Sequence, residues 1–585
     1  MDVKTGKPRF FLCIAGVLLI FLSLAFFSGE VRASKAPADS LHASDHEQGD
    51  SILQFNRFGS FGSFLNGIQA RIKTDNYHLF GTYSYRNYNG YLAHSNADFH
   101  TLNLMVETTP TKNTRLQIIG NYLNGLEKKP GSLTKSEFES NPYSADPMAV
   151  GRDEKRITSK GELQLNYLAA FGKKLHQKIE ISGNGQIEYF IRTTKEYKVT
   201  TRYVFGLNAR YVNNGRIWNR KSEFSAGGEL FHQPERKEEF ENLGAKQSDW
   251  LEQLETEKTS IISCFVSENV CLVENRLSLM VHAKYNHVIY SVAEEMAPSL
   301  SDTKRYSALT PTISLHYSVI PAVTLYASYE RNFRNPTDKE LESPNQASLY
   351  NQDLTPQTST TLNAGVNGTL KRDDEALFFN SLKFEMVLFH RIIHQQILPY
   401  EIFGDEYYRN ATKTTGYGIE LKSRLKIYTD LSLSVDYTYS HFIYNAYTAD
   451  SWETDSSGTI TIIPRDFAGN FESNLPRNNL FMELAYSHPA GKKTDIFARL
   501  SYQYFSGRWV DDLNSGKTNP ANLVNTVVGV DVKLGHFLLS ASARVNNILD
   551  QVYVNVATAN SADKRFYNAG APRNFGGSVN IGYVF

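Results

Sequence analysis

Along most of this chain, apolar side chains recur at every second position. In SLSVDYTYS, Leu433, Val435, Tyr437 and Tyr439 share one parity, and Ser434, Asp436, Thr438 and Ser440 the other. In GIELKSRLKI, Ile419, Leu421, Leu425 and Ile427 oppose Glu420, Lys422, Arg424 and Lys426. VVGVDVKL sets Val528, Val530, Val532 and Leu534 against Asp531 and Lys533. The chain ends the same way: Val579, Ile581, Tyr583 and Phe585 alternate with Ser578, Asn580 and Gly582. Side chains of a strand point alternately to opposite faces, so these segments are strands with one apolar and one polar face. Patterns with a helical period are scarce, which excludes a soluble α/β domain.

The strands sit between connections of two kinds. Short junctions such as Thr111-Lys112-Asn113 and Thr429-Asp430 alternate with long polar runs: Glu127 to Asp153, Gln233 to Glu257, and Tyr444 to Phe467. Short turns at one end and long loops at the other is the layout of an outer-membrane barrel. Backbone groups in lipid must all be paired, so such a sheet has to close. The mean hydropathy of −0.38 fits, because only alternate residues face lipid. So do 34 Tyr and 35 Phe, residues favoured in strands and at membrane interfaces. A water-soluble propeller would show a fixed repeat period, and none is present. Residues 51–585, at roughly 24 residues per strand with its connection, give about 22 antiparallel strands. Barrels of that size enclose a lumen that side chains cannot fill. The last strand is expected to pair with the first, near Ile52 to Phe61, with its apolar face to lipid.

Three domains follow. Residues 1–33 read as a signal peptide: Lys4, Lys7 and Arg9 precede an apolar run from Phe10 to Phe27, with cleavage expected after Ala33. Residues 34–50 are a flexible polar link, and residues 51–585 the transmembrane barrel, with short periplasmic turns and long extracellular loops. Cys13 lies in the leader. Cys264 and Cys271 fall on one strand, roughly 23 Å apart at strand rise. A disulfide needs about 5.5 Å between Cα atoms, so they read as separate thiols unless that interval bends. Charge is balanced, 61 basic against 61 acidic residues, which gives no footprint for nucleic acid.

From Ser51 to Phe585 the chain resembles the barrel of TonB-dependent outer-membrane receptors. FGSFLNGIQARIKT and RNYNGYLAHS resemble the family's first strands, and Lys129 to Pro147 its first long loop. YERNFRNPTDKEL, Tyr329 to Leu341, and NQDLTPQTSTTLNAGV, Asn351 to Val366, resemble its paired loop motifs. YRNATKTTGYGIEL, GNFESNLPRN, WVDDLN, VNNILDQVY and APRNFGGSVNIGYVF follow in the family's order. Within these motifs Pro336, Pro356, Pro476, Asn546, Asn547 and Asp550 read as turn residues, because turn chemistry requires such types. The resemblance implies uptake of a large scarce solute, most often an iron–siderophore type chelate, with TonB-type energy coupling as a partner. Family members carry a plug domain ahead of the barrel, whereas an independent domain needs at least about 40 residues. Residues 34–50 are too few, and hold no visible coupling segment. The barrel is therefore expected to lack an N-terminal plug. A separate plug chain, a passive plugless pore, and a truncated non-transporting receptor fragment all stay open.

No Walker loop, HExxH, CxxC or GxSxG occurs, and no nucleophile–base pairing is visible, so the chain does not read as an enzyme. No cofactor or metal is implied. His390 and His394 would share a strand face about 13 Å apart, too far for one ion. No His lies between Phe333 and Asp353, which disfavours haem. Asp373, Asp374 and Glu375 read as a solvated turn. Binding would come from external loops, where Arg508, Trp509, Asp511 and Asp512 of GRWVDD are the candidate ligand contacts, since aromatic and Arg anchors dominate binding sites.

Overall fold

The computed structural model describes residues 50–344, 348–371, 379–402, 405–454 and 460–585. The leader, residues 34–49 of the link, and Asp373, Asp374 and Glu375 lie outside the described residues.

Twenty-two strands form one closed antiparallel sheet, each paired with its neighbour in the barrel. Closure is made where the sequence places it. Strand Ser51–Gly59 pairs with Asn574–Val584, from Ser51 opposite Val584 to Gly59 opposite Gly576. Val579 and Ile581 point outward, 43% and 44% exposed. On the other parity Asn580 is buried and Ser578 Oγ meets Ser542 Oγ at 2.8 Å. The seam needs Gly577, since a Cβ there would meet the Phe58 ring at 2.8 Å.

The two ends differ as expected. At one end the strands turn back within a few residues, as at Trp218-Asn219, where both φ values are positive (48° and 62°). That is the backbone that two-residue hairpins demand. Both chain ends of the barrel meet here, with Phe585 N–H donating to Asp50 O at 2.9 Å. At the other end stand the long loops 129–154, 335–356, 447–477, 506–520 and 547–573. They carry short helices, Lys135–Ser140, Pro147–Gly151 and Asp338–Leu341, and the hairpins Thr448–Thr454 with Ile460–Asp466 and Val554–Ala557 with Tyr567–Ala569.

The interval Gln233 to Glu257 departs from the sequence reading. It is not a long loop but the continuation of two strands, Arg220–Asn242 and Gln247–Val273, joined by a tight turn at 243–246. Here the strands run on past the apolar zone, and both faces become polar. The alternation that marks a strand in lipid disappears while the ladder continues. Inward ion pairs replace it: Lys237 Nζ to Glu257 at 2.8 Å and Arg202 to Glu235 at 2.5 Å.

Cys264 and Cys271 do lie on one strand, as free thiols. The rungs from Cys264 opposite Tyr285 to Cys271 opposite Ser278 are unbroken, so no bend brings them together.

Candidate functional site

The long loops fold onto one another and onto the lumen wall. Loop 335–356 enters first. Thr337 caps the helix Asp338–Leu341 through a reciprocal bond with Glu340. The cap aims Leu341 into a core of Val288, Tyr290, Val292, Tyr350, Leu354 and Ile397. Tyr290 Oη donates to Pro336 O at 2.6 Å. Beneath this core the wall is charged. Lys237 bridges Glu257 and Glu342 at 2.8 and 3.4 Å, Lys198 meets Glu239 at 2.7 Å, and Asp338 accepts from Thr259 and from Gln233. Ion pairs thus hold this loop to the wall.

Loops 129–154 and 547–573 are tied to each other. Leu133 and Tyr567 exchange backbone hydrogen bonds at 2.9 and 3.0 Å. Arg565 forks onto both Glu137 oxygens at 2.9 and 3.1 Å and reaches Asp146 at 3.3 Å. Burial pushes the Glu137 carboxyl up, but the Thr134 hydrogen bonds and the Arg565 guanidinium prevail and hold it below the usual carboxylate range. At the base of loop 129–154, burial again opposes Lys155 and Lys128 beside Asp153, and the lysines bring it down to about 2.

The four residues proposed from sequence share loop 506–520 but not one environment. Asp512 is fully buried. It accepts from Tyr444 Oη (2.7 Å), Tyr447 Oη (3.0 Å), Ser473 Oγ (2.7 Å) and Asn560 Nδ2 (2.9 Å). Both of its oxygens are engaged in holding three loops. Asp511 folds back on its own loop, accepting from Ser515 N–H at 2.8 Å. Arg508 donates to Val554 O and Asn555 O at 3.0 and 2.7 Å, and so pins the neighbouring loop. Trp509 faces a different space. It lines a small, partly open cleft with Phe442, Phe471, Glu472, Arg477 and Lys517. Lys517 Nζ stands 5.2 Å from its ring centroid, and the Arg477 guanidinium 4.9 Å from that of Phe471.

Sequence reading did not single out Glu472, Arg477 or Lys517 as site residues, although Arg477 lies in the NLPRN segment that carried part of the resemblance. Glu472 accepts from Gln396 Nε2 at 2.8 Å. Burial raises its pKa to about 7, with Gln396 acting against that and Asp512 adding to it. The cleft sets two cations, Arg477 and Lys517, among the rings of Phe442, Phe471 and Trp509, with the Glu472 carboxyl beside them. Two of the residues read as turn residues, Asn547 and Asp550, behave so. Asn547 (φ 50°) donates to Gln551 O and Ala571 O, and Asp550 (φ 53°) accepts from Arg573 N–H. His390 and His394 are exposed on one face of strand Ser381–Ile402.

The family model for TonB dependent receptor-like β-barrels matches residues 40–548. Among solved structures, the ferric citrate transporter FecA in its unliganded form is 16% identical with a TM-score of 0.72, covering 92% of this chain and 78% of that one. The siderophore receptor PiuA from Acinetobacter baumannii is 12% identical with a TM-score of 0.72, covering 92% and 82%. The ferric yersiniabactin uptake receptor FyuA from Yersinia pestis is 10% identical with a TM-score of 0.70, covering 91% and 80%. At such identities the likeness establishes the shared fold alone.

Proposed function

The chain belongs to the TonB dependent receptor-like β-barrel family, an outer-membrane family of receptors, and from that premise we propose that it takes up an iron–siderophore type chelate. In this reading the chain is exported by its first 33 residues, and the long-loop end faces outward. The observation that carries the reading is the interlocked cap. Four of the long loops, 129–154, 447–477, 506–520 and 547–573, are fixed to one another, loop 335–356 is fixed to the charged wall, and a small cleft among them is lined by Trp509, Arg477 and Lys517. Ferric chelates are large and often anionic or aromatic. Cations stacked on aromatic rings suit them, because a partly dehydrated cation–π pair binds more strongly than one in open water. The names of the similar structures point the same way.

The test is a panel of ferric siderophores, the same siderophores without iron, cobalamin and an oligosaccharide. Each is titrated into the purified barrel while its tryptophan fluorescence is followed. Binding of one ferric chelate, weakened in Trp509→Phe, supports the proposal. Binding of cobalamin or sugar, with no ferric chelate bound, overturns it.

A second reading is favoured by one observation. Every helix and strand described lies in the barrel wall or in its connections, and none forms a domain inside the lumen. The barrel then works as a passive pore, or with a plug supplied by a separate chain that carries the TonB coupling. A large stable conductance of the purified chain in planar bilayers is the outcome expected of the pore. A closed channel counts against it.

A further inference from the structure

The first turn of loop 335–356 docks on a patch of wall where carboxyls outnumber cations. Lys237 Nζ meets Glu257 Oε1 at 2.8 Å and Glu342 Oε1 at 3.4 Å, so one cation bridges a wall carboxyl and a loop carboxyl. Glu255 lies opposite Lys237 on the ladder, and Glu257 opposite Glu235. The neighbouring cations have partners of their own. Arg202 meets Glu235 at 2.5 Å and Glu188 at 3.3 Å, and Lys198 meets Glu239 at 2.7 Å. Arg192 adds a longer-range charge near Glu342. Two further carboxyls crowd the patch. Asp338 of the loop accepts from Thr259 and Gln233, and Glu294, opposite Glu255, accepts from Leu254 N–H. These groups stand on the loop and on strands that have run past the apolar zone.

Burial makes the imbalance costly. Glu257 is 3% exposed, and among the described residues its Oε2 has no hydrogen-bond partner. Tyr350 of the same loop is buried with its hydroxyl likewise unpaired, so it does not supply the missing donor. A buried carboxylate with one oxygen unanswered is far less favourable than the neutral acid. Burial, with Asp338 and Glu235 beside it, accordingly raises Glu257 against the pull of Lys237. Burial, Glu239 and Glu342 bring Glu255 to about 7. Burial also opposes ionisation of Glu342, but Lys237 and Lys198 prevail and hold it below the usual carboxylate range. The charge of Lys237 thus answers the loop, and the wall carboxyl keeps a proton.

We propose that docking of segment 337–342 on the wall is coupled to the uptake of one proton by Glu257. Docked, Glu342 is ionised against Lys237 and Glu257 is neutral. When the segment lifts, Glu342 returns to water, Lys237 turns to Glu257, and Glu257 releases its proton to solvent. Glu255, beside the same lysine, adds to the dependence. Between the ordinary carboxylate value and the raised one, the docked form binds a proton that the lifted form has lost. Docking is therefore firmest at acid pH, weakens as pH rises through the neutral range by up to about tenfold per pH unit for one proton, and is flat above the raised value. Other anchors of the loop take no part: Tyr290 on Pro336 O, Lys304 on Asn351 O, Asp302 beneath Tyr350 N–H, Lys339 with Glu406, and Arg334 with Glu340. The device rests on the wall and the loop alone and holds whichever solute is carried.

The test follows hydrogen exchange of segment 337–342 in the purified full chain from pH 5.5 to pH 8.5, corrected for intrinsic rates. The Leu341 and Glu342 amides, bonded to Thr337 O and Lys339 O, report whether the turn is docked. In the parent, protection is expected to fall at least tenfold across this range. Glu257→Gln keeps the shape of the neutral acid, so the segment should stay docked and the fall should shrink below twofold. Glu342→Gln lies on the loop, with a side chain 40% exposed, and leaves the barrel wall intact. It frees Lys237 for Glu257, which then ionises at lower pH, so the fall should vanish from this range as well. The second variant decides the matter where the first does not fold. Infrared difference spectra at pH 6 read the proton directly: the carbonyl band of a protonated carboxyl should be present in the parent and lost in Glu257→Gln. A fall that persists unchanged in the folded variants overturns the coupling, and so does a Glu257→Gln spectrum that keeps the whole band. Binding of a ferric chelate is a separate measurement, so this proposal and the uptake reading fail separately.

Discussion

Tyr444 Oη donates to Asp512 Oδ1 at 2.7 Å, and both side chains are wholly buried. Tyr447, Ser473 and Asn560 complete the shell of the same carboxylate. Removing the acceptor leaves several buried donors unpaired, each costing about 1–3 kcal/mol. Asp512→Ala is therefore expected to loosen loops 447–477 and 506–520 by about 3 kcal/mol or more, while Asp512→Asn costs less because it keeps one acceptor. Limited proteolysis should cut the Ala variant within these loops and spare the barrel strands. Equal resistance of the variant and the parent would show that the hub does not hold the cap.

The bidentate fork of Arg565 on Glu137 predicts a coupled pair. Arg565 is mostly buried, so the pair is screened less than a surface bridge. Arg565→Ala and Glu137→Ala should each speed hydrogen exchange in loop 129–154, and the double variant should add little beyond either single. A coupling of about 1–3 kcal/mol is expected for adjacent members of one network. Strict additivity would mean that the backbone bridge of Leu133 to Tyr567 carries the contact by itself.

Glu472 gives the cap a dependence on pH. Its carboxyl titrates at about 7 in the folded protein, mainly through burial, against an ordinary value of 4.5. Between these values the folded state binds the proton that the unfolded state has released. Stability from this group is thus highest below about 4.5, declines as pH rises toward 7, and is flat above that. Protection of loop 467–477 from exchange, corrected for intrinsic rates, should fall from pH 5 to pH 8. Glu472→Gln should flatten that slope at the level of the neutral form. A slope unchanged in the Gln variant would place the titration on another group.

The closed sheet was legible because lipid imposes a two-residue period on every spanning strand, and the seam from Ser51–Gly59 to Asn574–Val584 follows from it. The period ends where lipid ends. Between Glu235 and Glu257 the two strands stay paired apart from register shifts between Gln247 and Gln253, yet Lys237, Glu238 and Glu239 give no alternation, so the strands there look like a loop. Loop residues were legible by type but not by direction. Asp511, Asp512 and Trp509 are adjacent in sequence and alike in suiting a ligand. Which of them turns inward depends on Tyr444 and Asn560, 68 and 48 residues from Asp512. His390 and His394 were placed on one face by spacing. That the face is the outward one depends on Leu388 and Tyr417 beside them, which are exposed.

Phe585 tests whether the last residue serves the folded barrel or its assembly. Its ring lies edge-on to Tyr583 at 5.1 Å, and Tyr583 in turn edge-on to Phe537 at 5.1 Å. It remains 65% exposed, so truncation removes little buried area from the folded state. Its backbone bond to Asp50 does not depend on the side chain. Phe585→Ala should therefore leave the heat resistance of assembled barrels within about 1 kcal/mol of the parent. The quantity of barrel recovered from outer membranes, by contrast, should fall severalfold, since Phe585 extends the apolar face that Val579, Ile581 and Tyr583 carry along the closing strand. Phe585→Tyr should restore the yield. Equal recovery of the Ala variant would rule out a role in insertion, and lower heat resistance at equal recovery would assign the ring to the aromatic girdle of the finished barrel.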